Sequence, residues 1–313
     1  MGHVCCASAP FKKIFVDSSR RKQYSASLRV FLHVKTRAPT PEVTLYSFVI
    51  NPSAVILPDA ILDSRDDVQC VELCNNPAMS SESLGAIVES LLEYKIQALD
   101  LSFNPQLGDS MVAAIQPLLE AKMSPLRDLK LANCGLTVAG LERLVEVAKK
   151  SSLRVLDISC IQIRDETKLI GQILELPMVE HLSFRCCDLG PEDVRTIAEA
   201  LPFTSVKSLH LPGNAFGSEG LVHLAGALPE SILEELDLTG VGIEADCEGL
   251  SELAKAWLER PFSNLCLKDN PMGQTGIWNF ITTLRTLRPV NDDSTGLVVV
   301  DSMWMVNDSP KCC

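Results

Sequence analysis

The groups in this sequence best placed for a defined chemistry stand at its start, Met1-Gly2-His3-Val4-Cys5-Cys6. Removal of Met1 exposes the Gly2 amine for myristoyl transfer, and the adjacent thiols of Cys5 and Cys6 suit palmitoyl transfer. Cys6 stands where the usual myristoylation pattern has Ser or Thr. One myristoyl chain binds membranes only marginally, so stable anchoring needs a second signal. The cysteine pair is one. The other is the basic set Lys12, Lys13, Arg20, Arg21 and Lys22, each worth about 1 kcal/mol beside an anionic leaflet.

Elsewhere the reactive residue types are scattered. Of the five histidines, His3, His33, His181, His210 and His223, His181 and His210 fall on successive predicted strands and are expected close together. They read as polar strand residues, since no nucleophile or oriented carboxylate accompanies them. The sequence has no G-x-x-x-x-G-K-[ST], G-x-S-x-G or H-E-x-x-H motif, and no G-x-G-x-x-G opening a helix. Cys70 and Cys74, two of twelve cysteines, have no second pair or histidine at zinc-site spacing. Without a signal peptide the thiols are expected reduced, most of them small core residues. No catalytic residue, metal ligand set or cofactor is expected.

Charge narrows the partners. The chain of 313 residues carries −12, from 28 Lys and Arg against 40 Asp and Glu. Such a chain is a poor nucleic-acid binder, because the phosphate backbone calls for clustered Lys and Arg. No apolar run reaches the roughly 20 residues of a spanning helix. The charge is also segregated. Residues 1–40 hold eight bases and the single acid Asp17, giving +7, which leaves 20 bases, 39 acids and −19 in residues 41–313. That asymmetry marks an interaction tail beside a folded body.

The elements that must position everything else come from a repeat. The pattern L-x-x-L-x-L-x-x-N/C occurs eight times, with ninth positions at Asn76, Asn104, Cys134, Ile161, Cys187, Asn214, Val241 and Asn270. Successive steps are 28, 30, 27, 26, 27, 27 and 29 residues. The paired apolar positions, Leu99 and Leu101 for example, alternate with polar residues as in a strand with one buried face. A buried Asn at the ninth position can satisfy amides of the turn that follows. Ile161 and Val241 cannot, so those turns need other groups.

Behind most strands runs an i, i+3, i+4, i+7 apolar stripe, such as Leu141, Leu144, Val145 and Ala148, which predicts a helix with one core face. Pro191 after Gly190 suits a first helical position. These residues resemble the leucine-rich-repeat family, and the step length with a full helix resembles its ribonuclease-inhibitor-like class. The resemblance implies an α/β fold: a right-handed solenoid, or horseshoe, with a parallel inner sheet, outer helices and protein partners on the concave face. The N-terminus resembles those of dually acylated peripheral membrane proteins.

The repeat locates the candidate face. The position between the strand leucines reads Glu72, Asp100, Lys130, Asp157, Ser183, His210, Asp237 and Cys266, with Arg185 and Lys268 two residues on. This mainly acidic face suits a basic protein partner. The expected organisation is a basic segment over 1–27, a β cap or small β unit over 28–67, repeats over 68–288, and a C-terminal cap and tail over 289–313. Together these features describe a non-enzymatic adaptor or scaffold, cytoplasmic and held at the inner leaflet of a membrane. Two other readings stay open. One is a GTPase-activating protein resembling the Ran regulator of this repeat class; the other is an actin regulator resembling tropomodulin or the capping-protein-binding repeat proteins.

Overall fold

The structure, a computed structural model, describes residues 28–35, 44–50, 70–77, 79–92, 95–120, 125–245, 248–261, 263–287, 297–300, 303–306 and 309–311. A hairpin of β1 (Leu28–Lys35) and β2 (Thr44–Ile50) comes first. Eight strand–helix units follow: β3 (Cys70–Glu72) and α1 (Ser81–Leu91), β4 (Ala98–Asp100) and α2 (Met111–Glu120), β5 (Asp128–Lys130) and α3 (Val138–Ala148), β6 (Val155–Asp157) and α4 (Thr167–Leu174). The series continues with β7 (His181–Ser183) and α5 (Pro191–Ala200), β8 (Ser208–His210) and α6 (Gly217–Ala227), β9 (Glu235–Asp237) and α7 (Glu248–Glu259), β10 (Asn264–Cys266) and α8 (Gly273–Leu287). Three strands end it, β11 (Leu297–Val300), β12 (Met303–Val306) and β13 (Ser309–Lys311).

All the described strands join one open sheet, in the order β13 to β3 and then β1 and β2. From β3 to β11 the strands are parallel and in register, one repeat against the next. The ends are antiparallel: β1 pairs with β3, and β12 and β13 extend β11. Residues 309–311, which the sequence suggested as tail, form β13.

The leucine spacing explains the layers. The central strand residue is buried in every repeat, from Val71 and Leu99 to Leu236 and Leu265, and so is the apolar residue two further on. These side chains share one core with the helix stripes. The expected stripes all face inward, Ile277 and Leu284 being half-buried. Two further helices carry the same face. In α2 it is Met111, Ala114, Ile115 and Leu118, and in α4, which is eight residues long, Ile170, Ile173 and Leu174 end before a fourth position. Pro117 lies on the exposed side of α2. Pro191 opens α5, where the buried Asp193 carboxylate accepts the Gly190 N–H at 2.8 Å and that of Asp165 at 3.1 Å.

Each strand leaves through a left-handed residue one before the ninth position: Asn75, Phe103, Asn133, Cys160, Cys186, Gly213, Gly240 and Asp269, all with φ between 53° and 72°. Asn, Asp and Gly tolerate this region, whereas Phe and Cys do so at a cost. In the turn after β5, Gly135 is also left-handed, and a Cβ there would lie 2.3 Å from the Pro105 carbonyl oxygen of the preceding repeat.

The ninth residue then locks the turns together. Asn104 donates to Leu101 O and to Leu73 O of the preceding repeat, and its Oδ1 accepts the Asn76 N–H at 2.6 Å. Cysteine performs the donor half: Cys134 Sγ reaches Leu101 O at 2.9 Å and Cys187 Sγ reaches Ile158 O at 3.4 Å. Burial pushes both thiols up to about 12. The turn at Val241 is served by the next repeat through Asn270, and the Ile161 N–H faces the Cys187 sulfur of the next repeat. The Oδ1 of Asn270 accepts the N–H groups of Val241, Gly242 and Ile243.

Candidate functional site

Because side chains alternate along a strand, the residues flanking each buried centre face the open side of the sheet. Register places Glu72, Asp100, Lys130, Asp157, Ser183, His210 and Asp237 in one row, one residue per repeat, with Cys266 continuing it. Arg185 and Lys268 occupy the row two residues further along. The segment with Gly2, Cys5, Cys6, Lys12, Lys13, Arg20, Arg21 and Lys22 lies outside the described residues.

Three of the carboxylates in the row also hold the turns. Asp100 Oδ1 accepts the Ser102 N–H at 2.9 Å, Asp157 Oδ1 that of Ser159 at 3.0 Å, and Asp237 Oδ1 that of Thr239 at 3.0 Å. The hydroxyls of Ser159 and Thr239 donate to the same oxygens at 2.5 Å. They also link onward, Ser159 Oγ to Ser183 Oγ at 2.9 Å and Thr239 Oγ1 to Cys266 Sγ at 3.1 Å. These contacts fix the geometry of the carboxylates on the face.

One residue upstream of the strands, Glu180 binds two bases. Its carboxylate meets Lys207 Nζ at 3.0 Å and Arg154 Nη1 at 3.3 Å. The hydrogen bond from Lys207 holds its carboxyl below the usual glutamate range. Asp128 behaves oppositely: burial pushes its carboxyl up, against the pull of Lys130, His181 and Arg127.

His181 and His210 share the open face but are offset by two residues. His181 pairs with Ser208, while His210 pairs with Ser183. His210 instead stands in a trio that sequence spacing did not suggest. The Ser208 hydroxyl lies 3.0 Å from His210 Nε2, and His210 Nδ1 lies 3.8 Å from Asp237 Oδ2. Side-chain types of a nucleophilic triad are present, but Ser208 is 1% exposed and its hydroxyl donates to Glu235 Oε2 at 3.0 Å. The 3.8 Å gap exceeds a hydrogen bond of normal length. Asp237 holds the His210 imidazole above its ordinary value. Burial pushes the Asp237 carboxyl up, but the bonds from His210 and Thr239 outweigh it and leave it below its ordinary value. The trio is a charged polar contact on the face. Among the described residues no group of three or more His, Cys, Asp or Glu could hold a metal, and no helix is long and apolar enough to cross a membrane.

No Phe, Tyr or Trp occupies the three strand rows of this face. Exposed apolar side chains lie instead on the segments leading into β7, β8 and β9, at Met178, Phe203 and Ile232, and Phe203 is 90% exposed. They follow Leu-Pro steps in the first two cases, Leu176-Pro177 and Leu201-Pro202.

An open parallel sheet with one helix per 26–30 residue step and an Asn or Cys at six of the eight turns defines a leucine-rich-repeat horseshoe of the α/β class. Comparison with known proteins agrees. A family model described as Leucine Rich repeat matches residues 175–198 and 204–225. The ribonuclease inhibitor of Mus musculus is 30% identical over 267 residues, 81% of this chain and 56% of that protein. That of Sus scrofa is 28% identical over 265 residues, 80% of this chain and 56% of its own. The chain therefore spans about half the length of the curated relatives it matches. The solved structure of internalin C2 from Listeria monocytogenes aligns at 15% identity and a TM-score of 0.32, over 73% of this chain and 82% of that one.

Proposed function

We propose that this chain is a protein-binding module that holds a positively charged protein partner on the open face of its sheet. The observation that carries the reading is the in-register row from Glu72 to Cys266, which turns eight short strands into one continuous surface about 34 Å long. Its three strand rows hold the acids Glu72, Asp100, Asp128, Asp157, Glu235 and Asp237 against the bases Lys130, Arg185 and Lys268. Complementary charge of this kind steers encounter and suppresses wrong partners more than it adds affinity. Affinity needs apolar anchors, which interfaces draw mainly from aromatic side chains near their centre. Met178 and Phe203, exposed on the segments that lead into β7 and β8, are the side chains to supply them.

The relatives' name, ribonuclease inhibitor, makes a ribonuclease the first partner to try. The acylated and basic N-terminus, Gly2 to Lys22, would hold the module at the cytoplasmic face of a membrane, with the body of −19 repelled from the anionic surface.

Affinity capture on the immobilised full chain, with candidate ribonucleases and then with cell extract, tests the binding claim. A partner is expected that dissociates with rising salt and is lost from the Asp128→Lys/Glu235→Lys variant. Equal retention by that variant would place binding away from the open face.

A further inference from the structure

Cys160 and Cys186 occupy the same place in successive repeats, each the left-handed residue before the ninth position, at φ 62° and 53°. The strands that lead into them pair in register, Asp157 against Ser183. The Cys160 N–H donates to the carbonyl of Arg185, the residue before Cys186, at 2.7 Å. Adjacent strands run about 4.8 Å apart, inside the Cα separation of roughly 4.4–6.8 Å that a disulfide accepts. Cys186 is close enough to Cys160 to help raise its thiol, and both residues are exposed. Beyond them Gly213 is the next left-handed residue, and a Cβ there would lie 2.7 Å from Cys186 Sγ, so the glycine leaves that sulfur its space. Cys134 and Cys187, by contrast, are buried donors to backbone carbonyls.

We propose that Cys160 and Cys186 form a dithiol–disulfide modification site, oxidised by a low-molecular-weight disulfide such as oxidised glutathione into a bond that staples the turns of the fourth and fifth repeats. One cysteine gives up its proton, and its sulfur attacks a sulfur of the small disulfide. The S–S bond breaks, one small thiolate leaves, and a mixed disulfide remains on the protein. The second cysteine loses its proton and attacks the protein-bound sulfur, expelling the second small thiolate. Two protein thiols are thereby oxidised by two electrons, one small disulfide is reduced to two thiols, and the two released protons neutralise the leaving thiolates. Burial and the neighbouring Cys186 raise the Cys160 thiol above its ordinary value, so the reaction is faster in mild alkali. In a solenoid each repeat contacts only its neighbours. A bond here therefore fixes the junction that carries Asp157, Ser183 and Arg185.

The full-length chain is incubated with oxidised glutathione at about pH 8, where thiolate is available. Remaining thiols are alkylated and the chain is digested with trypsin. Cleavage after Arg154, Arg164, Arg185 and Arg195 releases peptides 155–164 and 186–195. These two are expected as one disulfide-linked species that dithiothreitol separates. The species should vanish in Cys160→Ser and in Cys186→Ser, and persist in Cys187→Ala, which tells apart the two cysteines of the second peptide. Oxidation should also raise the thermal midpoint of the wild-type chain and leave that of Cys186→Ser where it was. Recovery of the two wild-type peptides only as separate alkylated species, or only as separate glutathione adducts, would overturn the proposal. So would a link that survives in Cys186→Ser.

Discussion

Asn214 Oδ1 accepts the backbone N–H of Cys187, 27 residues earlier and one repeat away, at 2.9 Å. The same oxygen takes the Leu189 N–H at 3.1 Å, while Nδ2 donates to Phe184 O and to Leu211 O. Successive repeats are thus joined by side-chain amides as well as by the strand ladder, in a place that is fully buried.

Replacing Asn214 with Leu should therefore cost about 3 kcal/mol or more, since it strands two buried N–H groups and two carbonyls whose bonds to water are lost. Asn214→Cys should cost less, because cysteine at positions 134 and 187 already donates to the equivalent carbonyls. Urea unfolding monitored by circular dichroism gives both values. A leucine variant with an unchanged midpoint would mean that the turn amides have other partners.

The leucine spacing was enough to lay out eight strands and most of the helices, because each repeat must bury the same face against its neighbour. What it concealed depends on distances across the repeat. Asp100, Asp157 and Asp237 looked like carboxylates offered only to a partner, yet each binds the N–H two residues on. A signal existed in the recurring Asp-x-Ser/Thr steps, Asp100-Leu101-Ser102, Asp157-Ile158-Ser159 and Asp237-Leu238-Thr239. The left-handed residue was equally visible as a column rich in Asn, Gly and Asp, but Phe103, Cys160 and Cys186 broke it. The contact of Ser208, His210, Glu235 and Asp237 joins residues up to 27 apart, and only the register of β8 against β9 brings them together.

That contact should make stability depend on pH. The folded-state pKa of His210 lies above its ordinary 6.5. Its contribution is therefore complete below about 6.5 and fades as pH rises through the folded value. Asp237 lies below its ordinary 3.8, so its contribution is complete above about 3.8 and fades as pH falls through the folded value. The pair is strongest between those limits, near pH 5, where Glu235 and Asp157 also face the imidazole. The side chains are 44% and 27% exposed, which screens the pair to about 1 kcal/mol at most. His210→Asn should be less stable than the wild type by that margin near pH 5 and by less at pH 8, measured by urea unfolding at each pH. A deficit constant across the range would show that His210 acts by packing alone.

The anchor proposal turns on one amine. Gly2→Ala removes the acceptor for myristoyl transfer and should move the full chain from the membrane to the supernatant fraction when expressed cells are broken and centrifuged. Cys5→Ser/Cys6→Ser should leave most of the protein at the membrane, since it retains one acyl chain and the basic set, and two signals are what stable anchoring needs. Unchanged partitioning of Gly2→Ala would dispose of the myristoyl group as the anchor.

Phe203 offers the sharpest test of where a partner sits. Its ring is 90% exposed at the end of a short 3-10 turn, Leu201–Phe203, so the fold gains almost nothing from it. Surface substitutions of this kind usually change stability by no more than about 0.5 kcal/mol. An aromatic anchor at an interface, however, typically loses about 2 kcal/mol or more on truncation, which is roughly a thirtyfold weaker complex. Phe203→Ala should therefore unfold at the wild-type urea midpoint yet bind the captured partner at least tenfold more weakly by calorimetry. The salt dependence should stay unaltered, since no charge has been removed. Glu235→Lys should show the reverse pattern, a slower association and a flatter salt dependence with a smaller loss of affinity. If Phe203→Ala binds as the wild type does while Glu235→Lys does not, the partner sits on the strand rows alone and the exposed ring serves something else.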